Sequence, residues 1–507
     1  MPSTLIFPVT SNPDGHQAHL RALLAFLAVY CAVMLTFATI AGGWGALHPD
    51  MTETWAWGKE FQLGYSKHPP IMAWMAGVWF ELMPRTDWSF YLLAIANAGI
   101  GLAGVWMLAG LLLGVHGRWV SVLFLVLTPS YTFWALKFNA NAVLLSSWPW
   151  TAYFFVQSLR SRGAAHALLA GIAGAVAMLG KYYSGVLLAT LFVAALLYPD
   201  RGRYFRSWAP WLTAVAGLAA LAPHLWWLCE ADFPTFQYAL SKTRYPVAEA
   251  GQHTLSAIAQ SYLCLGLGAA ALGAAFGRRS WHLLKRSARA AAKRDTAWLI
   301  WLAHGPAIVT LAAFVVSNGR FATEHLMPAC FAMPVAFLAA SHAPITGLVV
   351  RRLTLAVAAL WLPITLASPV LASYSFAHAA ALEPRRELAV AVTQMWNGLF
   401  HRPLRFVAGT EALATATTFY SPDAPSYLML DKPALTPWVD AERLKREGLF
   451  ILCRVSDRAC IAHAQQLIGD RPFRKTQEFA ASYRGRSSPP RAFTLFILPP
   501  AGADFLD

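Results

Sequence analysis

The sequence predicts a polytopic α-helical membrane protein of about eleven transmembrane helices that ends in a small C-terminal α/β domain. Three observations carry that expectation. Of the 507 residues 57% are hydrophobic and only 13% charged, where soluble globular chains carry about a quarter. Apolar runs near spanning length recur as far as residue 372, with Lys and Arg gathered in the short joins between them. After Ala372 the pattern changes to short apolar strands alternating with amphipathic stretches.

The runs fall near residues 21–43, 88–113, 118–136, 141–159, 165–180, 183–198, 209–228, 254–276, 297–316, 326–341 and 353–372. Several are shorter than the roughly 20 residues that cross a bilayer, so they must tilt, thin the membrane or pack tightly. The first run is too long for a signal-peptide core and lacks a strong basic start, so it reads as a retained helix. Pro70–Met83 reads as an amphipathic helix lying on the interface. Between 373 and 507, strands are expected at 404–408, 426–430, 449–452 and 493–498, with helices at 385–399, 439–447 and 460–468. The division expected is therefore a transmembrane part, 1–372, with its first external loop at 44–87, and a separate part, 373–507.

Threaded from a cytoplasmic start, the spans leave roughly twice as many Lys and Arg inside as outside. The run Arg278–Arg294 then reads as an orientation signal with some attraction for anionic lipid. The net charge of +15 is thus an orientation signature, and a basic soluble module that would bind nucleic acid is absent. This threading puts His48–Pro70, Lys137–Asn141, Lys181, Cys229–His253, Ser317–His325 and the C-terminal domain on the external, periplasmic side. Cys453 and Cys460 lie in that domain, where an oxidising compartment would allow a disulfide and two unpaired thiols are the alternative. The inverted repeats of many transporters are not visible.

The most informative stretch is the first external loop, HPDMTETWAWGKEFQLGYSKHPPIMAW, from His48 to Trp74. Asp50 and Glu53 share a helix face at this spacing. Trp55, Trp57 and Phe61 suit the headgroup level, and Lys67-His68 precede Pro69-Pro70, whose φ angles are fixed. This loop resembles the first external loop of the GT-C glycosyltransferases of the protein O-mannosyltransferase superfamily (glycosyltransferase family 39), above all the bacterial lipid A aminoarabinose and galacturonic acid transferases. The matching pattern is Asp50-Met51-Thr52-Glu53, then Trp55-Ala56-Trp57, then Gly64-Tyr65-Ser66-Lys67-His68-Pro69-Pro70, then Ala73-Trp74. Met51 departs from it, since a second acid is usual there, and Glu53 stands in as the replacement. Gly180-Lys181-Tyr182-Tyr183 and Glu324-His325-Leu326-Met327-Pro328 extend the likeness over roughly the first 340 residues.

The resemblance implies an inverting transferase that takes a sugar from a polyprenyl-phosphate carrier and gives it to a lipid A, glycolipid, polysaccharide or protein acceptor. Such chemistry needs a base for the acceptor, cations for the departing phosphate and an apolar groove for the lipid. Asp50 matches the leading acid and is the expected base, with a helix N-cap as its plain alternative. Glu53 is the second acid or an ordinary exposed helix charge. Lys67, His68, Lys181, Arg244, Arg320 and His325 are the candidates for the donor phosphate; Lys181 interrupts an apolar stretch, where an ionisable group is functional or snorkels. Asn139 and Asn141 occupy a place where many relatives carry Asp, which leaves hydrogen bonding only. No soluble cofactor is expected. A divalent metal on Asp50, Glu53 and His68 is left open, because their spacing is nonspecific. The rival from another class is a transporter or flippase of a lipid-linked saccharide.

Overall fold

The computed structural model describes residues 13–241, 246–317, 319–379, 382–469 and 474–502. Its helices run α1 Pro13–Gly42, α2 Pro49–Gly58, α3 Ile71–Leu82, α4 Asp87–Gly110, α5 Val115–Val126, α6 Ala140–Ser161, α7 Ala164–Gly180 and α8 Gly185–Leu197. There follow α9 Arg201–Phe205, α10 Ala209–Glu230, α11 Pro234–Ser241, α12 Val247–Leu263, α13 Gly266–Phe276, α14 Ser280–Ala291, α15 Ala297–Ser317, α16 Thr323–Leu326, α17 Met333–Ala340 and α18 Gly347–His378. The last four are α19 Arg385–Phe400, α20 Glu411–Tyr420, α21 Ala441–Glu447 and α22 Arg458–Ile468.

Each of the expected apolar runs is largely helical. Among the described residues 6 helices are long and apolar enough to cross a membrane, or up to 8 if each bent pair counts as one span. The shortfall from the sequence expectation has a physical cause. The runs at 118–136 and 326–341 bend by 85° and 40° at their breaks. Those at 165–180 and 183–198 form two short helices separated by a polar turn, and the run at 141–159 lies in α6, a 22-residue helix with Ser146, Ser147 and Gln157 in it that is not among the six.

The chain divides into two compact units, the first Met1–Leu35, Lys67–Ile71 and Leu92–Thr365, the second Thr36–Ser66, Met72–Tyr91 and Leu366–Asp507. The units do not follow the composition boundary at residue 372. Most of the first external loop packs with the C-terminal residues.

The first unit is a helical assembly. Its helices approach closely where side chains are small: a Cβ on Gly101 would stand 2.1 Å from the Leu145 carbonyl oxygen of α6. Buried polar groups are bridged between helices. Asn97 donates to the Ala142 carbonyl (2.7 Å) and accepts from Ser146 (2.6 Å). Such pairing is required wherever water is excluded.

The second unit holds a five-stranded mixed sheet. Its strands are β1 Phe406–Gly409, β2 Ser426–Leu428, β3 Leu449–Arg454, β4 Arg474–Phe479 and β7 Arg491–Leu498; β5 Ser482–Tyr483 and β6 Arg486–Ser487 form a small separate hairpin. The order is β2-β1-β3-β7-β4, with β1 parallel to β2 and β3, and β7 antiparallel to β3 and β4. β3 is almost wholly buried, which its continuous apolar run LFILC anticipates. Trp396 and Leu388 of α19 and Leu413 and Ala414 of α20 pack one face, while Ala464 and Ile468 of α22 pack the other. Cys453 and Cys460 form a disulfide between β3 and α22.

Candidate active site

In the second unit the acids stand on α2. Pro49 opens this helix, where its missing N–H costs nothing, and His48 caps it, its Nδ1 accepting from the Asp50 N–H at 3.2 Å. Asp50 is therefore not the N-cap: its carboxylate lies 3.3 Å from His48 Nδ1 and stays 39% exposed. Glu53, one turn on, is only 8% exposed, so it is no ordinary surface charge. Burial, and then the carboxylates of Glu411, Glu53 and Asp431, push the Tyr427 hydroxyl well above its ordinary value. Tyr427 thus stays a neutral donor beside those acids. Asp50 is the accessible carboxylate and Glu53 the enclosed one.

The rest of the unit fixes α2. Thr52 Oγ1 meets Thr415 Oγ1 of α20 at 3.2 Å, and the Leu47 N–H donates to the Tyr420 hydroxyl at 2.7 Å. α3 crosses so near that a Cβ on Gly58 would lie 2.4 Å from the Ala73 carbonyl oxygen, and one on Gly77 2.4 Å from that of Gly58. Trp57 stacks on Tyr65 with centroids 5.2 Å apart, and Tyr65 donates back to the Trp57 carbonyl at 2.8 Å. Arg85 donates to the carbonyls of Thr418 and Ser421, and Arg386 pairs with Asp87 and donates to the Gly45 carbonyl. The rings of the WAW segment are thus mainly core, with Trp57 1% and Trp55 7% exposed.

In the first unit the cations gather around the turn that parts α7 from α8. Gly180 ends α7, Lys181 is extended (φ −164°, ψ 137°), and Tyr182–Ser184 make one tight turn. Ser184 closes the turn, donating to the Ala177 carbonyl (2.7 Å) and accepting from Trp148 Nε1 (3.0 Å). Lys181 Nζ donates to Asn141 Oδ1 at 2.6 Å. Asn139 caps α6 beside it, accepting from the N–H groups of Asn141 and Ala142 at 2.9 and 3.1 Å.

Lys67 Nζ lies 6.0 Å from the centre of the Tyr238 ring of α11, and the His68 ring meets that ring edge-on at 6.2 Å. His325 lies against Tyr183, ring centres 5.5 Å apart, and feels the charges of Lys181 and His68. Its Nδ1 accepts from the Ala322 N–H at 3.0 Å, so the neutral ring carries its proton on Nε2. Arg320 is exposed, next to Phe321, whose ring lies 6.0 Å from Tyr183. The structure thus draws Lys67, His68, Lys181 and His325 together. Arg244 lies outside the described residues.

Sequence reasoning missed the aromatic frame. The Tyr182 hydroxyl is 2.7 Å from His224 Nε2 and 3.2 Å from Thr235 Oγ1, its ring stacks on Phe236, and the Tyr183 hydroxyl is 2.6 Å from Thr310 Oγ1. His224 was legible as an ionisable group inside an apolar run; Tyr238 carried no such signal. Among the described residues no group of three or more His, Cys, Asp or Glu side chains could hold a metal ion.

Comparisons with known proteins bear on the fold. A family model, dolichyl-phosphate-mannose-protein mannosyltransferase, matches residues 67–227, which hold Lys67, His68, Asn141 and Lys181. The fold is similar to that of ArnT from Cupriavidus metallidurans bound to undecaprenyl phosphate, with a TM-score of 0.62 at 15% identity, over 96% of this chain and 99% of that one. Apo ArnT from the same organism gives 0.59 at 14% identity, over 94% and 98%. No curated protein sequence matches. The chain has the fold of these ArnT structures, with several helices long and apolar enough to cross a membrane and a small C-terminal sheet region.

Proposed function

We propose that the protein transfers a sugar, with inversion, from a polyprenyl-phosphate carrier to a lipid A, glycolipid, polysaccharide or protein acceptor at the periplasmic face of the bacterial inner membrane. The observation that carries this reading is the polar set of the first unit. Lys181, Lys67 and His68, with the neutral His325 ring as an Nε2–H donor, come from three separate segments and meet beside the end of an apolar helix. A lipid monophosphate presents its charge at that level, and cations in a poorly hydrated setting are what its departure requires. The match to an ArnT that binds undecaprenyl phosphate supports the same donor class. The disulfide supports an oxidising compartment for the C-terminal residues, and residues 1–372 and 373–507 are the membrane and periplasmic parts of this reading.

In the proposed step an acceptor oxygen attacks the anomeric carbon while the bond from that carbon to the phosphate oxygen breaks. The electron pair of that bond leaves with the polyprenyl phosphate. Asp50, the accessible carboxylate, takes the acceptor's proton; Glu53 orients the acceptor. Lys67, His68, Lys181 and His325 meet the phosphate charge, with Arg320 and Arg244 as further contributors. Carbohydrate transfer should leave free polyprenyl phosphate in a one-to-one ratio with sugar gained by the acceptor. A flippase would move the intact donor and release none.

A further inference from the structure

Outside that site the first unit holds a cavity of about 320 Å³, within the roughly 300–1,000 Å³ of small-ligand pockets. It lies among α5, α12, α13, α14, α15 and α17, and its walls are apolar, with Phe124, Leu272, Phe276 and Phe337 among them. The strongly polar pair in that lining is Tyr262 and His304, whose hydroxyl and Nδ1 are 2.8 Å apart and satisfy each other. A dry hydrocarbon chain suits such a lining; a sugar or nucleotide does not.

One wall is α14, whose two faces differ sharply. Ser280, Leu283, Leu284 and Ser287 line the cavity, while Lys285, Arg286 and Arg289 are all exposed on the opposite side and flanks of the same helix. Trp281 is 62% exposed and lies under Lys285, whose Nζ is 5.0 Å from its ring centre. Basic residues on one face, an exposed Trp and an apolar opposite face are the features of a helix lying in a membrane interface. Ser280 pins the helix start, donating to the carbonyls of Gly273 and Gly277 at 2.7 Å each, and Thr296 Oγ1 holds its end through the Ala290 carbonyl at 2.5 Å. One helix, held at both ends, therefore carries the apolar wall of the cavity on one face and exposed positive charge on its other side and flanks.

We propose that this cavity is a binding site for an anionic bilayer phospholipid, with an acyl chain among α13, α14, α15 and α17 and the phosphate against Lys285, Arg286 and Arg289. Charge complementarity selects the anionic headgroup, because basic residues near a membrane surface attract anionic lipid. The cavity selects a lipid over a soluble phosphate.

The test is native mass spectrometry of the whole protein in detergent, titrated with phosphatidylglycerol, phosphatidylethanolamine, a free fatty acid or polyprenyl phosphate. One variant is Gly273→Leu: Gly273 lines the cavity, and a Cβ there meets nothing within 4 Å, so the side chain fills the cavity without a backbone clash. The other is the triple Lys285→Gln, Arg286→Gln, Arg289→Gln. The expected result is retention of phosphatidylglycerol at least tenfold above phosphatidylethanolamine, lost in both variants, with fatty-acid retention lost only in Gly273→Leu. A melting temperature for each variant in detergent alone within a few degrees of the parent shows that the fold is kept; Ala269→Leu replaces Gly273→Leu where it is not. Equal retention of the two phospholipids, unchanged retention in either variant, or preferential retention of polyprenyl phosphate would overturn the assignment.

Discussion

Lys181 and Asn141, 40 residues apart in sequence, meet through a 2.6 Å hydrogen bond from the ammonium to the amide Oδ1. The partner is neutral. An amide fixes the direction of the ammonium and, unlike a carboxylate, adds no opposing charge to it. Asn141→Asp should therefore lower donor affinity about tenfold or more, because a carboxylate at this distance would neutralise Lys181. Donor KM for the variant checks it, and an unchanged KM would separate Lys181 from the phosphate.

Removing a single cation should cost on the order of 2–4 kcal/mol in transition-state stabilisation, by analogy with single oxyanion-hole donors. Lys67→Ala, His68→Ala and Lys181→Ala are compared with two different acceptors. The loss should follow the donor and be the same for both acceptors. Losses that track the acceptor would move these residues to acceptor binding.

The contact of α2 with α3 leaves no room for a side chain at Gly58 or Gly77. Gly77→Ala should destabilise the second unit by about 1–3 kcal/mol, the usual range for overpacking. Lower thermal stability, with transfer lost at a lower temperature than in the parent, is the expected outcome. Gly174→Ala, whose Cβ would meet only Leu188 at an ordinary 3.4 Å, is the control.

Glu383 sets a pH dependence. Burial alone would raise its carboxyl, but the hydrogen bonds from Arg454 at 2.5 and 2.9 Å, and the charges of Arg454, Arg385 and Arg491, hold it below its ordinary 4.5. Its folded pKa is lower than its unfolded one, so this stabilisation is complete above about pH 4.5 and fades as pH falls through the folded value. Glu383→Gln should therefore lower the melting temperature at neutral pH. The gap to the parent should close as the solution is acidified, and a gap constant with pH would contradict it.

Cys453–Cys460 joins two elements of the sheet region. Closing so short a loop is worth about 2–3 kcal/mol in the chain-entropy account. The denatured, unreduced protein should take up thiol label at Cys31, Cys229, Cys264 and Cys330 only, and reduction should add two sites and lower the melting temperature of the second unit.

Much of the fold was legible because a bilayer imposes long apolar runs, and each run in the sequence is largely helical. The sheet was legible in its buried strands: β3 and β7 were expected within a few residues, whereas the exposed edge strand β4, RKTQEF, carries no apolar signal. The number of full crossings was not legible, because the breaks that bend the runs at 118–136 and 326–341 contain few polar residues. Spacing gave Asp50 and Glu53 a shared helix, but their unequal exposure depends on tertiary packing against residues more than 300 positions away, such as Thr415. The partners of Lys67 and His68 were hidden for the same reason: Tyr238 is an ordinary aromatic residue until α11 brings it to them.

The most direct test of the transferase reading uses proteoliposomes holding the purified protein, a panel of polyprenyl-phosphate-linked sugars and a lipid A acceptor. Free polyprenyl phosphate and glycosylated acceptor are measured together by mass spectrometry, for the parent and for Asp50→Asn. The amide preserves the shape of the side chain but cannot take a proton. The expected result is equal amounts of both products from the parent and neither from Asp50→Asn, with the variant folded and inserted. Intact donor crossing the bilayer with no polyprenyl phosphate released, in parent and variant alike, would contradict the transferase reading and favour a flippase.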